Sequence, residues 1–381
     1  MMITRIIHRT GLKRRAAKLF LLLMSFGVLT SCGDNSPLTI DDYDDIPRFL
    51  EHQKIPGVSI AIIKDFKVDK VLVYGFKEAD SDEPVREDTL FQAAAISQPV
   101  TAMAALKLYQ DRELDIDSNI NQQLKSWVLD AGVHASRQKV TLRALLSHTS
   151  GTNVTGYEGY PQGEALPTIK QVLTNTGSSR AAGVIVNGES GVYRYSSGGY
   201  SVVQQTLMDL TAKPFETLMD EIIFSPLSMT RSTFNQPLGS TQALKASAGH
   251  DVNGSMIAGR YYNYPEMAAT GLWSTPVDIA KFVIELQSAI VGDSKVGLTE
   301  ETALQMLQPI HMTYGLGLDV KTRGSSVYFS QGGASKGFQV AFQAHETAGV
   351  GVVVMTNSEN GFRAVAKILN FVATEEQWPD Y

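Results

Sequence analysis

Strand-like runs lie at both ends of this chain and are missing from its middle, and this distribution constrains the fold more than any other feature. Near the start, Gly57-Val58-Ser59-Ile60-Ala61-Ile62-Ile63 and the stretch from Val68 to Tyr74 are rich in β-branched residues, with a polar link around Lys64-Asp65. Near the end, Ser326 to Ser330, Phe338 to Gln343 and Val350 to Met355 repeat the pattern, followed by a helical stretch from Phe362 to Thr374. Between them, Ile96, Val100, Met103 and Leu106 recur at helical spacing within about Ala95 to Gln110. Residues 115 to 320 then mix helices with long Gly- and Pro-containing loops. Within that stretch, Thr275-Pro276-Val277-Asp278 supplies an N-cap, a proline at the first helical position and an acid in the first turn. One sheet built from both termini accounts for this order, and the hairpin-length links between the late strands make it antiparallel. The expected fold is α+β: an antiparallel sheet flanked by helices, forming a domain over 46–381 with a helix-rich insertion at about 115–320. Its functional cleft should open between sheet and insertion.

Residues 1–31 read as an address. They carry Arg5, Arg9, Lys13, Arg14, Arg15 and Lys18 with no acid, followed by the apolar run from Leu19 to Leu29. A basic region before a short apolar core is the layout of an export signal, and the run is too short for a comfortable permanent span. It ends in Leu29-Thr30-Ser31-Cys32, which resembles the bacterial lipobox, and Cys32 is the only cysteine of the chain. The expectation is a signal peptide over 1–31, lipidation with palmitate-type chains at Cys32, and a polar tether over 32–45. The protein would then sit on the periplasmic side of the bacterial cell envelope, its partner there being the lipid bilayer. Gly33 after the cysteine, rather than an acid, is compatible with onward transport to an outer membrane.

Charge and cysteine count exclude several classes. The 33 Lys and Arg stand against 39 Asp and Glu, a net charge of −6, which disfavours a nucleic-acid partner. One cysteine permits no intramolecular disulfide. No HExxH or closely spaced ligand set and no Walker or dinucleotide fingerprint occurs, so neither metal nor other cofactor is expected.

Five stretches, in order, carry a family resemblance: Phe91 to Ala102; Leu145-Leu146-Ser147-His148-Thr149-Ser150-Gly151; Tyr193 to Tyr200; Gly271-Leu272-Trp273-Ser274-Thr275-Pro276; and Gln331-Gly332-Gly333. Together they resemble the β-lactamase-related serine hydrolases, the class C β-lactamases, D-alanyl-D-alanine carboxypeptidases and related esterases. The resemblance covers about 46 to 381.

In that family a Ser-x-x-Lys pair opens the first helix of the insertion, the serine attacking a carbonyl and the lysine one turn later taking its proton. The aligned positions here are Ala95 and Gln98. Alanine has no nucleophilic atom, and an amide is no base near neutral pH. Tyr195 matches the family's second base or proton relay. The family's Lys- or His-x-Gly strand motif reads Gln331-Gly332-Gly333, so Gln331 supplies a hydrogen bond and no charge. The resemblance further implies oxyanion donors from the backbone N–H groups of Ala95 and Ala334.

Other candidates are weaker. Ser97 lies about 200° around the helix from Ala95 and should be a packed small residue. His148 in its loop reads as structural. Gly333-Ala334-Ser335-Lys336-Gly337 has the Gly-x-Ser-x-Gly form, yet it runs into the strand-like Phe338 to Phe342 rather than a helix.

The leading functional expectation is a lipid-anchored pseudoenzyme that binds a ligand or partner through the old cleft: a peptidoglycan peptide, a small ester or amide, or an envelope protein. The alternative is an active serine hydrolase, an esterase, D-Ala peptidase or β-lactamase-like enzyme, with Ser335 as the first displaced nucleophile to consider. A third reading is a structural envelope protein with a vestigial cleft.

Overall fold

The computed structural model describes residues 39–79, 81–130 and 139–381. The export segment, Cys32 and the first half of the expected tether lie outside the described residues.

Six strands form one antiparallel sheet: β1 (Gly57–Lys64), β2 (Lys67–Gly75), β3 (Asp319–Arg323), β4 (Ser326–Ser335), β5 (Phe338–His345) and β6 (Gly351–Thr356). Their spatial order is β2-β1-β6-β5-β4-β3, so the first strand pairs directly with the last. Ile60 faces Val354 across that pair, and Val353 faces Phe342 across the next. The two termini therefore close a single sheet, as their composition indicates.

Residues 58–63 of β1 are all buried, because helices cover both faces of the sheet. Alternation sends Ala61 and Ile63 into one core with Phe282, Leu286, Phe342 and Val353. Phe282 and Leu286 belong to helix Pro276–Ile290, whose start is built as its sequence dictates. Thr275 accepts a hydrogen bond from the Asp278 N–H at 3.3 Å, with Pro276 at the first helical position. The C-terminal helix Gly361–Glu375 packs on β5 and β6.

Two boundaries differ from the sequence-based expectation. The excursion from the sheet begins after Gly75, not near 115, since helix Ser97–Asp111 already belongs to the helical layer. The folded part also reaches further toward the N-terminus than 46. Tyr43 packs edge-on against Phe371 at 5.0 Å and donates its hydroxyl to Glu376, and helix Asp45–His52 buries Ile46, Phe49 and Leu50. Among the described residues no helix is long and apolar enough to cross a membrane.

Candidate functional site

The short strand Phe91–Gln92 pairs with Trp273–Ser274 and delivers the chain into a tight turn. Ala94 there has φ 47°, a left-handed conformation that an alanine adopts only when its surroundings impose it. The constraints are visible. The Ala93 N–H donates to Leu272 O at 2.8 Å, and the Ser97 hydroxyl donates to Ala94 O at 2.6 Å while accepting the Leu272 N–H at 3.0 Å. Ser97 is therefore a fully buried staple, as its helical phase requires. Of residues 91–100 only Ala95 is not buried; the turn presents its methyl group to the cleft.

Strand β4 crosses this turn at Gly333. A Cβ at position 333 would lie 2.7 Å from the Ala95 nitrogen and 2.9 Å from Ala93 O, so only glycine permits the approach. Ala95 and Ala334 both border the cleft beside this crossing, where the resemblance expects oxyanion donors.

Gln98, three residues after Ala95 and fully buried, donates its side-chain N–H to the Tyr195 hydroxyl at 2.6 Å and to Ala269 O at 3.5 Å. Its Oε1 has no partner among the described residues. Burial raises the Tyr195 phenol above its ordinary pKa, and the hydrogen bonds from Ser197 and Gln98 only partly offset this. A phenol in this state keeps its proton at neutral pH.

His148 stacks obliquely on Tyr195, with ring centroids 4.4 Å apart. It is fully buried, and burial pushes its pKa down to about 3 although the Ser196 N–H contacts its Nδ1 at 3.1 Å. The ring is a neutral spacer in an aromatic cluster with Tyr193, Tyr200 and Tyr314. Gln331 reaches back toward the same turn, its Nε2 lying 3.5 Å from Ala95 O.

Of these residues Ala95, Tyr195, Gly333 and Ala334 line one wall of a cavity of about 530 Å³. The opposite wall comes from the C-terminal helix through Phe362, Val365, Ala366 and Leu369, at i, i+3, i+4 and i+7. That wall is missing from the sequence-based expectation; the apolar stripe at helical spacing is the signal that could have found it. Among the described residues lining the cavity there is no Asp, Glu, Lys, Arg or His.

Ser335 lies outside this constellation. It ends β4, its hydroxyl donates to Gln92 Oε1 at 3.0 Å, and Lys336-Gly337 turns directly into β5. A hairpin follows the serine, not a helix, so Gly333 to Gly337 does not form a nucleophile elbow. Among the described residues no group of three or more His, Cys, Asp or Glu is placed to hold a metal.

The fold and this cleft have known counterparts. The chain is similar to a D-amino acid amidase from Ochrobactrum anthropi SV3, with a TM-score of 0.70 and 20% identity over 87% of this chain and 97% of that one. It is similar also to an octameric penicillin-binding protein homologue from Pyrococcus abyssi, with a TM-score of 0.71 and 20% identity over 88% of this chain and 78% of that one. In sequence it is 25% identical over 246 residues to Protein flp of Staphylococcus aureus (strain N315), covering 63% of this chain and 46% of that protein, so the match spans about half of that relative's length. It is 22% identical over 329 residues to the putative penicillin-binding protein PbpX of Bacillus subtilis (strain 168), covering 84% and 75%. Residues 44–375 match the family described as Beta-lactamase, and on that match, which takes in the sheet, the helical layer and the cleft between them, the chain belongs to the beta-lactamase family of serine-hydrolase-fold proteins.

Proposed function

We propose that this protein is a lipid-anchored component of the bacterial cell envelope whose serine-hydrolase cleft binds a neutral, largely apolar ligand without performing acyl transfer. One observation carries this reading: a glutamine amide donates a 2.6 Å hydrogen bond to the Tyr195 hydroxyl where the chemistry needs a base. Acyl transfer by this fold requires a nucleophile on the turn and a group that removes its proton. Ala95 offers a methyl group, Gln98 an amide, and Tyr195 a phenol that burial keeps protonated.

The remainder of the cleft suits binding. A volume of about 530 Å³ accommodates a small ligand, and its uncharged lining disfavours anions. The backbone at Ala95 and Ala334 would direct donors at a ligand carbonyl, which fits a small ester or amide or the backbone of a peptidoglycan peptide.

Incubation with a fluorophosphonate and with a fluorescent penicillin tests the inert reading. Purified protein should take up no covalent label, whereas stoichiometric labelling would establish an active serine and overturn it. The anchor is tested separately. A palmitate analogue should label the protein in cells, and Cys32→Ala should abolish the label and release the protein from membranes. An unlabelled wild-type protein would contradict the anchor.

A further inference from the structure

Behind the loop 153–160 lies a second pocket, of about 280 Å³, that shares Thr155, Gly156 and Tyr157 with the main cleft. Its character is different, because it is lined by Glu266, a carboxyl group only 1% exposed. Glu266 starts the short helix Met267–Thr270, and its backbone carbonyl accepts the N–H groups of Ala269 and Thr270 at 3.1 Å each. The backbone is therefore fixed, and the side chain is held away from bulk water.

The carboxylate is met by the Glu266 backbone N–H, and its Oε2 is buried with no partner among the described residues. No nearby hydroxyl reaches Oε2. Tyr157 shares a 2.7 Å hydrogen bond with Ser201, Tyr160 accepts the Arg180 N–H at 3.0 Å, and Tyr264 accepts the Lys336 N–H at 3.2 Å. The cation beside the pocket is committed too: the Arg180 guanidinium pairs with Glu164 and lies over the Tyr160 ring, 5.3 Å from its centroid. A second carboxylate, Glu158, also lines the pocket. A buried carboxyl with one open oxygen is costly unless a positive donor meets it.

We propose that this pocket is a binding site for the primary ammonium group of a small organic ligand, with Glu266 Oε2 accepting one of its N–H bonds. The chemistry selects the class. A single open oxygen suits a monodentate ammonium rather than the two-pronged guanidinium fork. Among the described residues no Asp, His or Cys joins Glu158 and Glu266 in the pocket, so a divalent metal would lack a ligand set. The site lies apart from Ala95 and Gln98, and it stands whether or not the main cleft reacts.

Benzylamine is the probe, and benzyl alcohol its uncharged counterpart. Calorimetry is done on the purified protein at about pH 8, where an alkylammonium still holds its proton. Wild-type protein should bind benzylamine at least about tenfold more tightly than benzyl alcohol. Glu266→Gln should remove that preference while keeping the fold. Ala182→Trp, a change at an exposed residue lining the pocket, should weaken benzylamine binding by obstruction, and it reads the same site if Glu266→Gln fails to fold. Ala95→Trp, which fills the main cleft, should leave benzylamine binding unchanged. The proposal is overturned if wild-type protein does not bind benzylamine, if its preference over benzyl alcohol survives Glu266→Gln, if its binding is untouched by Ala182→Trp, or if Ala95→Trp abolishes it. None of these outcomes bears on covalent labelling, so failure here and failure of the inert-cleft reading remain distinguishable.

Discussion

Glu266 and Gln98 are buried side chains that each keep one oxygen without a hydrogen-bond partner, and both border a pocket or the aligned catalytic position. For Glu266 the cost can be read as a pH dependence. Burial raises its pKa from 4.5 to about 7 in the folded protein. Both folded and unfolded chains hold the proton below about pH 4.5, so no penalty exists there. As pH rises the unfolded chain ionises first and the folded state loses relative stability, until the carboxyl ionises in both states above about 7. The accumulated loss is about 3 kcal/mol, taken from the shift in pKa. Glu266→Gln should therefore raise Tm at pH 8, with a gain that shrinks steadily toward pH 5, as thermal denaturation across pH will show. A constant difference across that range would mean that the carboxyl is solvated in the folded state. His148 runs the opposite way: its pKa of about 3 keeps it neutral in the fold, so stability falls as pH drops through about 6.5 and the unfolded chain takes up the proton, a loss that wild type and Glu266→Gln share and that cancels from their difference.

At the scale of elements, the crossing of β4 over the Ala93–Ile96 turn is the contact on which the cleft depends. Gly333→Ala would place a carbon 2.7 Å from the Ala95 nitrogen, against backbone that cannot turn aside. The expected loss is about 1–3 kcal/mol of stability, measured by urea denaturation, together with loss of ligand binding in the main cleft. Thr275→Ala should cost about 1 kcal/mol by removing the cap of helix Pro276–Ile290, with no effect on the cleft. Elements of these two kinds differ in how far the sequence reveals them. The Thr275 cap, the buried β1 and β6 and the turn-forming glycines follow from local chemistry, and they lie where periodicity and capping rules put them. Strand β3 does not. Of Asp319-Val320-Lys321-Thr322-Arg323 only Val320 is buried, and an edge strand with one buried side chain carries too little alternation to be read. The Glu266 pocket was equally illegible. Its carboxyl is isolated by residues from 153–160 and 180–182, and only the folded chain brings those segments around it.

For the molecule as a whole, closing one sheet from residues 57–75 and 319–356 makes the chain from Thr39 onward a single compact unit. Limited proteolysis should leave no pair of separately stable halves divided near 115 or 320. Within that frame the positions aligned with the family's nucleophile and base were legible as Ala95 and Gln98, because the motif spacing survives the loss of its chemistry. The hydrogen bond that ties Gln98 to Tyr195 was not, since it joins residues far apart in sequence. The central claim is that the cleft lacks only its reacting atoms. The most direct measurement compares hydrolysis of p-nitrophenyl acetate by wild-type protein, by each single change and by Ala95→Ser with Gln98→Lys. Wild-type protein and both single changes should stay near the uncatalysed rate, because nucleophile and base act as a unit. The double variant should turn over ester and take up fluorophosphonate at position 95, and adding Tyr195→Phe should slow it. A wild-type protein that matches the double variant, or a folded double variant that takes up no label, would contradict the claim.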